Sequence, residues 1–204
     1  MKSIENTLSL IDKIVSSLAE DDTINIALAG GYAAIAHGVE RTTADIDFCI
    51  YTKVIHEDNI QAFIGLLRRS LPDNFRINYL EGSKIIDDPF KHDVIFIHDN
   101  SGEYPRIDFI IAKYKWELEG TKEAKPLSDI PFPVLPKAYL IAMKLKAGSF
   151  KDDLDVTELY NLLTEEEKSK TLELSKLIHR DKKLARLIKP RKPFRDKEDK
   201  DQLL

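Results

Sequence analysis

Two aspartates, Asp45 and Asp47, lie one residue apart in the segment Asp-Ile-Asp-Phe-Cys-Ile. Side chains of a β-strand alternate between its faces, so both carboxylates are expected on one face, with Ile46 and Phe48 pointing into the core. Adjacent carboxylates repel each other, and a hard cation relieves that repulsion; oxygen atoms are the ligands that Mg²⁺ prefers. The pair therefore predicts a magnesium site. The alternative is a solvated edge strand with two polar positions.

A pair of glycines precedes the aspartates by one short helix. Gly30 and Gly31 follow an apolar run at 24–29 that predicts a buried strand. Without Cβ atoms the backbone can approach a ligand closely at this turn, and the N–H groups that open a helix suit a phosphate. Arg41 could contact the same phosphate or pair with an aspartate. A phosphate grip beside a carboxylate pair is more specific than either feature alone, so the segment indicates a phosphate grip next to a metal site.

A third carboxylate lies inside another apolar strand. In the segment 105–111, Ile107 and Phe109 share one face, whereas Arg106 and Asp108 share the other. A carboxylate within an apolar strand is costly unless it is paired or bound to a metal. The alternative is an exposed polar position, since the order of strands does not follow from the sequence.

A lysine interrupts the apolar stripe of a later helix. Pro136 is suited to open this helix and Gly148 to end it, and Leu140, Met143 and Lys144 lie on one side of it. Two interpretations of the lysine stay open. Its side chain snorkels to solvent, or its ammonium reaches the triphosphate of a nucleotide.

The run Gly-Gly-x-Ala-x-x-x-His-Gly-x-x-Arg-x-Thr-x-Asp-Ile-Asp-Phe at 30–48 resembles the signature of the DNA polymerase β nucleotidyltransferase superfamily. Within that superfamily the chain looks like small bacterial nucleotidyltransferases that include toxins of abortive-infection and toxin–antitoxin systems. Many members carry Ser or Thr after the two glycines, where this chain has Tyr32. That departure favours the toxin-like branch over polymerases and aminoglycoside-modifying relatives.

The resemblance implies nucleotidyl transfer, in which an acceptor hydroxyl attacks the α-phosphate of an NTP and pyrophosphate leaves. The ligands that it implies for two Mg²⁺ ions are Asp45, Asp47 and Asp108. The residues that it implies for nucleotide binding are Gly30, Gly31, Arg41, Thr43, Lys144, Lys151 and Asp152. Related toxins imply an RNA 3′ end, such as that of tRNA, as the acceptor and a cognate antitoxin as a candidate partner.

Three other functions stay open. The same chemistry could act on a protein hydroxyl or on a small molecule such as an aminoglycoside. A catalytically silent module that binds a nucleotide or a partner is the second, although such a module has no need of a like-charge cluster. A metal-dependent phosphohydrolase is the third, and it would normally require additional histidine ligands.

The pattern of elements predicts an α+β chain with the nucleotidyltransferase fold, in which a small mixed sheet flanked by helices precedes an α-helical C-terminal part. Apolar periodicity predicts helices at 4–19, 56–71, 136–147, 154–163 and 165–178, and strands at 24–29, 45–50, 75–80, 94–97 and 105–111. Residues 113–135 contain three prolines and are expected to form a connector. We therefore predict a catalytic domain at 1–130 and a helical domain at 131–204.

Composition narrows the class of protein. The chain has 204 residues and a net charge of −4, which does not fit a generic nucleic-acid binder. Residues 180–195 nevertheless hold eight Lys or Arg and one Asp, a balance of +7 that suits contact with RNA. The sequence has no apolar run of about 18 residues and no apolar signal segment, so we expect no membrane partner. A single cysteine, Cys49, excludes an internal disulfide and fits a cytoplasmic protein.

Overall fold

The structure is a computed structural model that describes residues 3–18, 23–56, 59–85, 92–127 and 129–189. Its helices are α1 (Ile4–Leu18), α2 (Gly30–Ala36), α3 (Lys53–His56), α4 (Ile60–Ser70), α5 (Lys115–Glu123), α6 (Lys137–Ala147), α7 (Phe150–Asn161), α8 (Glu165–Leu177) and α9 (Asp181–Leu187). Its strands are β1 (Ile24–Leu28), β2 (Ile46–Thr52), β3 (Phe75–Leu80), β4 (Val94–Asp99), β5 (Ile107–Ile111), β6 (Lys125–Leu127) and β7 (Ile130–Val134).

Within the described residues, seven strands form one mixed sheet in the order β3-β4-β5-β2-β1-β7-β6. The pairs β2/β5 and β1/β7 are parallel, and the other neighbours are antiparallel. Helices α6 to α9 follow the sheet, and α6 packs against both α7 and α8. The predicted fold class, a mixed sheet flanked by helices with a helical C-terminal part, is confirmed.

The core centres on the middle strands, because these are covered by helices and carry the largest apolar side chains. Phe48 on β2 contacts the rings of Phe109 and Phe132 edge to face, at centroid distances of 5.8 and 5.3 Å. Helix α5 packs against β1 and β2, and α2 packs against β2 and β7. Cys49 is completely buried in this core and acts as a small packing residue. This packing fixes the position of the start of β2, which carries Asp47.

The prediction that residues 113–135 form a connector is wrong, because this segment contains α5 and the strands β6 and β7. The backbone N–H groups of Lys113 and Tyr114 donate to the buried Glu117 carboxylate, which starts α5. The prolines are tolerated because β6 is an edge strand with a shifted register, and β7 pairs with β1 at a single position. The sheet therefore extends to Val134, past the predicted boundary at 130, and the division into two domains stays a prediction.

Two further element boundaries differ from the expected ones. Helix α7 starts at Phe150 rather than at 154, because Ser149 caps it and Asp152 returns a hydrogen bond to the cap. The helix expected at 56–71 is α4, which starts at Ile60 because Asn59 caps it, and the short helix α3 precedes it. In the basic segment, Asp181–Leu187 is helical and residues 190–195 lie outside the described residues. None of the helices in the described parts of the chain has both the length and the apolar character needed to span a bilayer.

Candidate active site

Two of the predicted carboxylates lie side by side on neighbouring strands. Strands β2 and β5 are parallel, and their register pairs Asp47 directly with Asp108. Asp45 lies in the bend immediately before β2. Asp108 is only 5% exposed, so the alternative of an exposed polar position is wrong for it. The order of the strands, which the sequence leaves open, brings the three carboxylates to one edge of the sheet.

An arginine that we did not predict lies among these carboxylates. Arg106 donates from Nε to Oδ1 of Asp108 and from Nη2 to Oδ2, each at 2.9 Å, and Nη2 also contacts Asp45 Oδ2 at 2.5 Å. Its guanidinium lies 5.6 Å from the centre of the Phe96 ring. The sequence holds a signal for this pair, since residues two apart on a strand share a face.

The two glycines lie against the carboxylate of Asp47. A Cβ atom on Gly30 would fall 1.8 Å from Asp47 Oδ2, and Gly30 has a φ of +59°. The Gly31 N–H donates to the same carboxylate oxygen at 3.4 Å, and a Cβ on Gly31 would lie 2.7 Å from Thr43 Oγ1. Only glycine allows this approach of α2 to β2.

Burial and mutual repulsion raise the pKa values of the inner carboxylates. Burial is the largest cause for Asp47, and with the charge of Asp108 it raises the pKa of Asp47 to about 6. The pKa of Asp108 is also raised, chiefly by burial, against the opposing effect of Arg106. Negative charge is thus unfavourable here without a further cation.

A second ion-pair network holds the basic side chains. Lys144 is buried, and its Nζ lies 2.5 Å from Asp155 Oδ2 and 3.5 Å from Asp152 Oδ1. Arg41 forms an ion pair with the same Asp155 oxygen. The interpretation in which Lys144 snorkels to solvent is therefore wrong. Asp155 was not among the predicted site residues, although it ends the Lys-Asp-Asp-Leu-Asp segment at 151–155.

These groups share one cavity of about 260 Å³. Nine of the ten predicted site residues line it, namely Gly30, Gly31, Arg41, Thr43, Asp45, Asp47, Lys144, Lys151 and Asp152. Asp108 does not line it, and Arg106 links Asp108 to Asp45, which does. Apolar side chains of Ile110 and Met143 form another part of the wall, together with His92, which we did not predict. His92 Nε2 lies 2.6 Å from the buried carboxylate of Glu117, which orients the ring.

The carboxylates fit a hard divalent cation by ligand type but are held differently here. Among the described residues, no three His, Cys, Asp or Glu side chains converge closely enough to hold a metal ion. Arg106 explains this arrangement, because it holds Asp45 and Asp108 in ion pairs. The raised pKa of Asp47 means that its carboxylate is destabilised by burial and by Asp108, and a bound cation would offset that cost.

No family model matches the chain, and no curated protein matches it. Among solved structures, the chain is similar to ANT(2″)-Ia in complex with adenylyl-2″-tobramycin, with 14% identity, a TM-score of 0.49, and coverage of 84% of this chain and 98% of the other. It is also similar to a solution structure of the antibiotic-resistance factor ANT(2″)-Ia, with 14% identity, a TM-score of 0.48, and coverage of 90% of this chain and 99% of the other. An antigenic nucleotidyltransferase-like protein from Paracoccidioides brasiliensis is similar with 17% identity, a TM-score of 0.44, and coverage of 91% of each chain. All three TM-scores lie below 0.5.

Proposed function

We propose that the chain transfers a nucleoside monophosphate from an NTP to an acceptor hydroxyl, with release of pyrophosphate. One observation carries the proposal: the glycine backbone at Gly30, the carboxylate of Asp47 and its neighbour Asp108 meet at one edge of the sheet. A close backbone approach suits a phosphate, and a carboxylate cluster suits the cation that accompanies it. Arg106 forms ion pairs with Asp45 and Asp108 but not with Asp47, and a silent binding module has no need of a buried carboxylate beside Asp108.

The basic side chains would bind and orient the triphosphate. Lys144 and Arg41 lie on the same cavity as Asp47, and Asp155 fixes the positions of both. Lys151 is exposed at the mouth of the cavity, in the first turn of α7. Fixed cations aimed at a phosphate stabilise the charge that develops on it during transfer.

Asp45, Asp47 and Asp108 would hold the two Mg²⁺ ions that we expect. Such ions, when bound, stabilise the attacking and leaving oxygens of the displacement. For this, Asp45 and Asp108 have to leave at least part of their contacts with Arg106. The chain's own contribution is then to align the three carboxylates on two rigid strands.

For the acceptor we propose an RNA 3′ end, with tRNA as the first candidate and a toxin role with a cognate antitoxin. The support is the resemblance at 30–48 and the basic segment at 180–195. In the described part of that segment, Arg180, Lys182 and Arg186 are exposed. A protein or a small molecule such as an aminoglycoside is the alternative acceptor.

The test is a labelling experiment with the full chain. Each NTP, labelled at its α-phosphate, is incubated with total RNA, with a protein extract or with an aminoglycoside mixture, in Mg²⁺ or in EDTA. We expect label in RNA with Mg²⁺ only, none with Asp47→Asn, and undiminished label with Asp73→Asn, which alters an exposed turn. Label in protein or in the small molecule would replace the RNA acceptor. No label in any fraction would overturn nucleotidyl transfer.

A further inference from the structure

A larger cavity of about 630 Å³ lies next to the candidate active site. We call it the Tyr114 groove; its walls are the start of α5, the end of α6 and the turn between α8 and α9, with the side chains of Tyr114, Lys115, Trp116, Lys146, Leu177 and His179. The groove is more than twice the volume of the cavity that holds Asp47. None of the roles derived above uses it.

The groove presents flat aromatic surface together with positive charge. The Tyr114 and Trp116 rings stack at 6.4 Å with an interplanar angle of 16°, and Tyr114 is 41% exposed. The ammonium of Lys146 lies 3.1 Å from the centre of the Tyr114 ring. Within the described parts of the chain, Lys146 has no carboxylate partner, and the aromatic ring faces are its neighbours. A cation that contacts ring faces in this part of the structure suits an anion that carries a planar group.

The charge of the groove favours a polyanion. Lys115 and Lys146 face one acid, Glu119, which lies 3.8 Å from Lys115 Nζ. Beyond the groove the chain continues from His179 into the exposed Arg180, Asp181 and Lys182, which adds a net charge of +1. Basic side chains beside an exposed aromatic ring, here Tyr114, are the arrangement that binds single-stranded nucleic acid without a base preference.

The groove is continuous with the candidate active site. The ring of His92, which lines the smaller cavity, contacts the ring of Tyr114 edge to face at 6.1 Å. Lys146 belongs to the groove, and the next residue, Ala147, belongs to the smaller cavity. The groove and the smaller cavity therefore adjoin, and a strand in the groove can extend its end into the cavity that Asp45 and Asp47 line.

We infer that the Tyr114 groove is the acceptor site, where the phosphate of an unpaired RNA end draws the Lys146 ammonium off the Tyr114 ring and a base stacks on the ring face that is freed. That the bound strand is the acceptor rests on the proposed function; that the groove binds it does not. The proposal predicts a base-dependent and a charge-dependent part of RNA affinity at two named side chains.

The chain carries its own probe for this binding, because Trp116 is its single tryptophan and stacks on Tyr114. We would titrate the full chain with a short unpaired RNA and follow tryptophan fluorescence. We expect a saturable change, about tenfold weaker affinity for Tyr114→Leu, and a log–log salt slope lower by about 0.7 for Lys146→Gln. The controls, Tyr51→Leu in another cavity and the exposed Lys13→Gln, should match the wild type.

Three results would overturn the groove: RNA binding with no tryptophan signal, equal affinity of Tyr114→Leu and wild type, or equal affinity for an abasic strand of the same length. Transfer to RNA is measured in parallel. If the wild type transfers a nucleotide to RNA and Tyr114→Leu has an unchanged KM for RNA, the assignment of the groove as the acceptor site is rejected and the proposed function is retained. If RNA binds with the expected Tyr114 and Lys146 dependence but no nucleotide is transferred, the proposed function fails and the groove stands.

Discussion

Arg106 and Asp108 form a bidentate ion pair at the edge of the sheet, and the same guanidinium reaches Asp45. A guanidinium is a permanent cation with a fixed fork of donors, so it offsets part of the repulsion among the carboxylates. It also holds oxygen atoms that a divalent cation would bind. Arg106 and a metal ion are therefore expected to compete for Asp45 and Asp108.

Arg106→Gln should weaken the chain without metal and strengthen its response to metal. Removing the guanidinium leaves the carboxylates unpaired, and because Arg106 is partly exposed we expect a loss of only about 1 kcal/mol in EDTA. Urea unfolding in EDTA and in Mg²⁺ measures both effects. The stabilisation by Mg²⁺ should exceed that of the wild type and of Arg76→Gln, an exposed arginine on β3. Equal Mg²⁺ stabilisation in all three proteins would contradict the competition.

Asp47→Asn should stabilise the chain at neutral pH while it abolishes transfer. The pKa of Asp47 is raised from 3.8 to about 6, so the folded chain binds this proton more tightly than the unfolded chain does. The carboxylate therefore costs stability above about pH 6, and the cost disappears below about pH 4. A shift of two pKa units corresponds to at most about 3 kcal/mol.

The measurement is urea unfolding of both proteins in EDTA from about pH 4 to about pH 8. The stability difference should grow with rising pH in favour of Asp47→Asn. A difference that is constant with pH would show that the Asp47 carboxylate is not destabilised by burial. Retained transfer by the variant would remove Asp47 from the catalytic role.

Local spacing predicted the parts of the site that are fixed within one or two elements. The turn at Gly30 and the position of Asp45 and Asp47 on one cavity depend on neighbouring residues, although Asp45 lies in the bend before β2 and not on the expected strand. The register of Asp47 with Asp108 depends on which strands pair, and this is a tertiary property. The resemblance, rather than any local pattern, connected those two residues in advance.

The site residues that the sequence did not predict depend on tertiary packing, as the pairing of Asp47 with Asp108 does. Asp155 lies far in sequence from Arg41, and only the packing of α7 beside the cavity brings them together. Helix α5 was missed because Pro126, Pro131 and Pro133 dominate the composition of 113–135, although all three lie after it. The buried Glu117, which starts that helix and orients His92, gave no signal beyond one acidic residue in the first turn.

Lys144→Met should destabilise the chain and weaken NTP binding. Lys144 is buried with Asp155 and Asp152, and its loss leaves Asp155 with Arg41 alone, so we expect a cost of about 2–4 kcal/mol. Asp155→Asn is the matched control, because it breaks the same pair and keeps the ammonium. Urea unfolding should show a loss in both variants, whereas calorimetry should show weaker NTP binding chiefly in Lys144→Met. Unchanged NTP affinity in that variant would limit Lys144 to a structural role.

Neutralising Lys189, Arg191 and Lys192 should lower the salt dependence of RNA binding. Lys189 is exposed directly after α9, and the other two lie outside the described residues. Three lost phosphate contacts reduce the log–log salt slope by about two to three, whereas transfer to a minimal acceptor should change little. A control variant that neutralises the exposed Lys13, Lys122 and Lys125 should keep the wild-type slope. An unchanged slope in the first variant would assign the segment to solvent.

Gly30→Ala should lower the free energy of unfolding by more than backbone strain alone accounts for. Gly102→Ala is the control that measures the strain by itself. Both glycines have positive φ angles, +59° and +70°, so an alanine at either position loses about 1–2 kcal/mol. A Cβ at 102 meets nothing within 4 Å, whereas a Cβ at 30 would fall 1.8 Å from Asp47 Oδ2 and displace that carboxylate. Urea unfolding should therefore show a larger loss for Gly30→Ala, and transfer should survive only in Gly102→Ala. Wild-type transfer by Gly30→Ala would mean that the position of Asp47 against the turn is not needed for the chemistry.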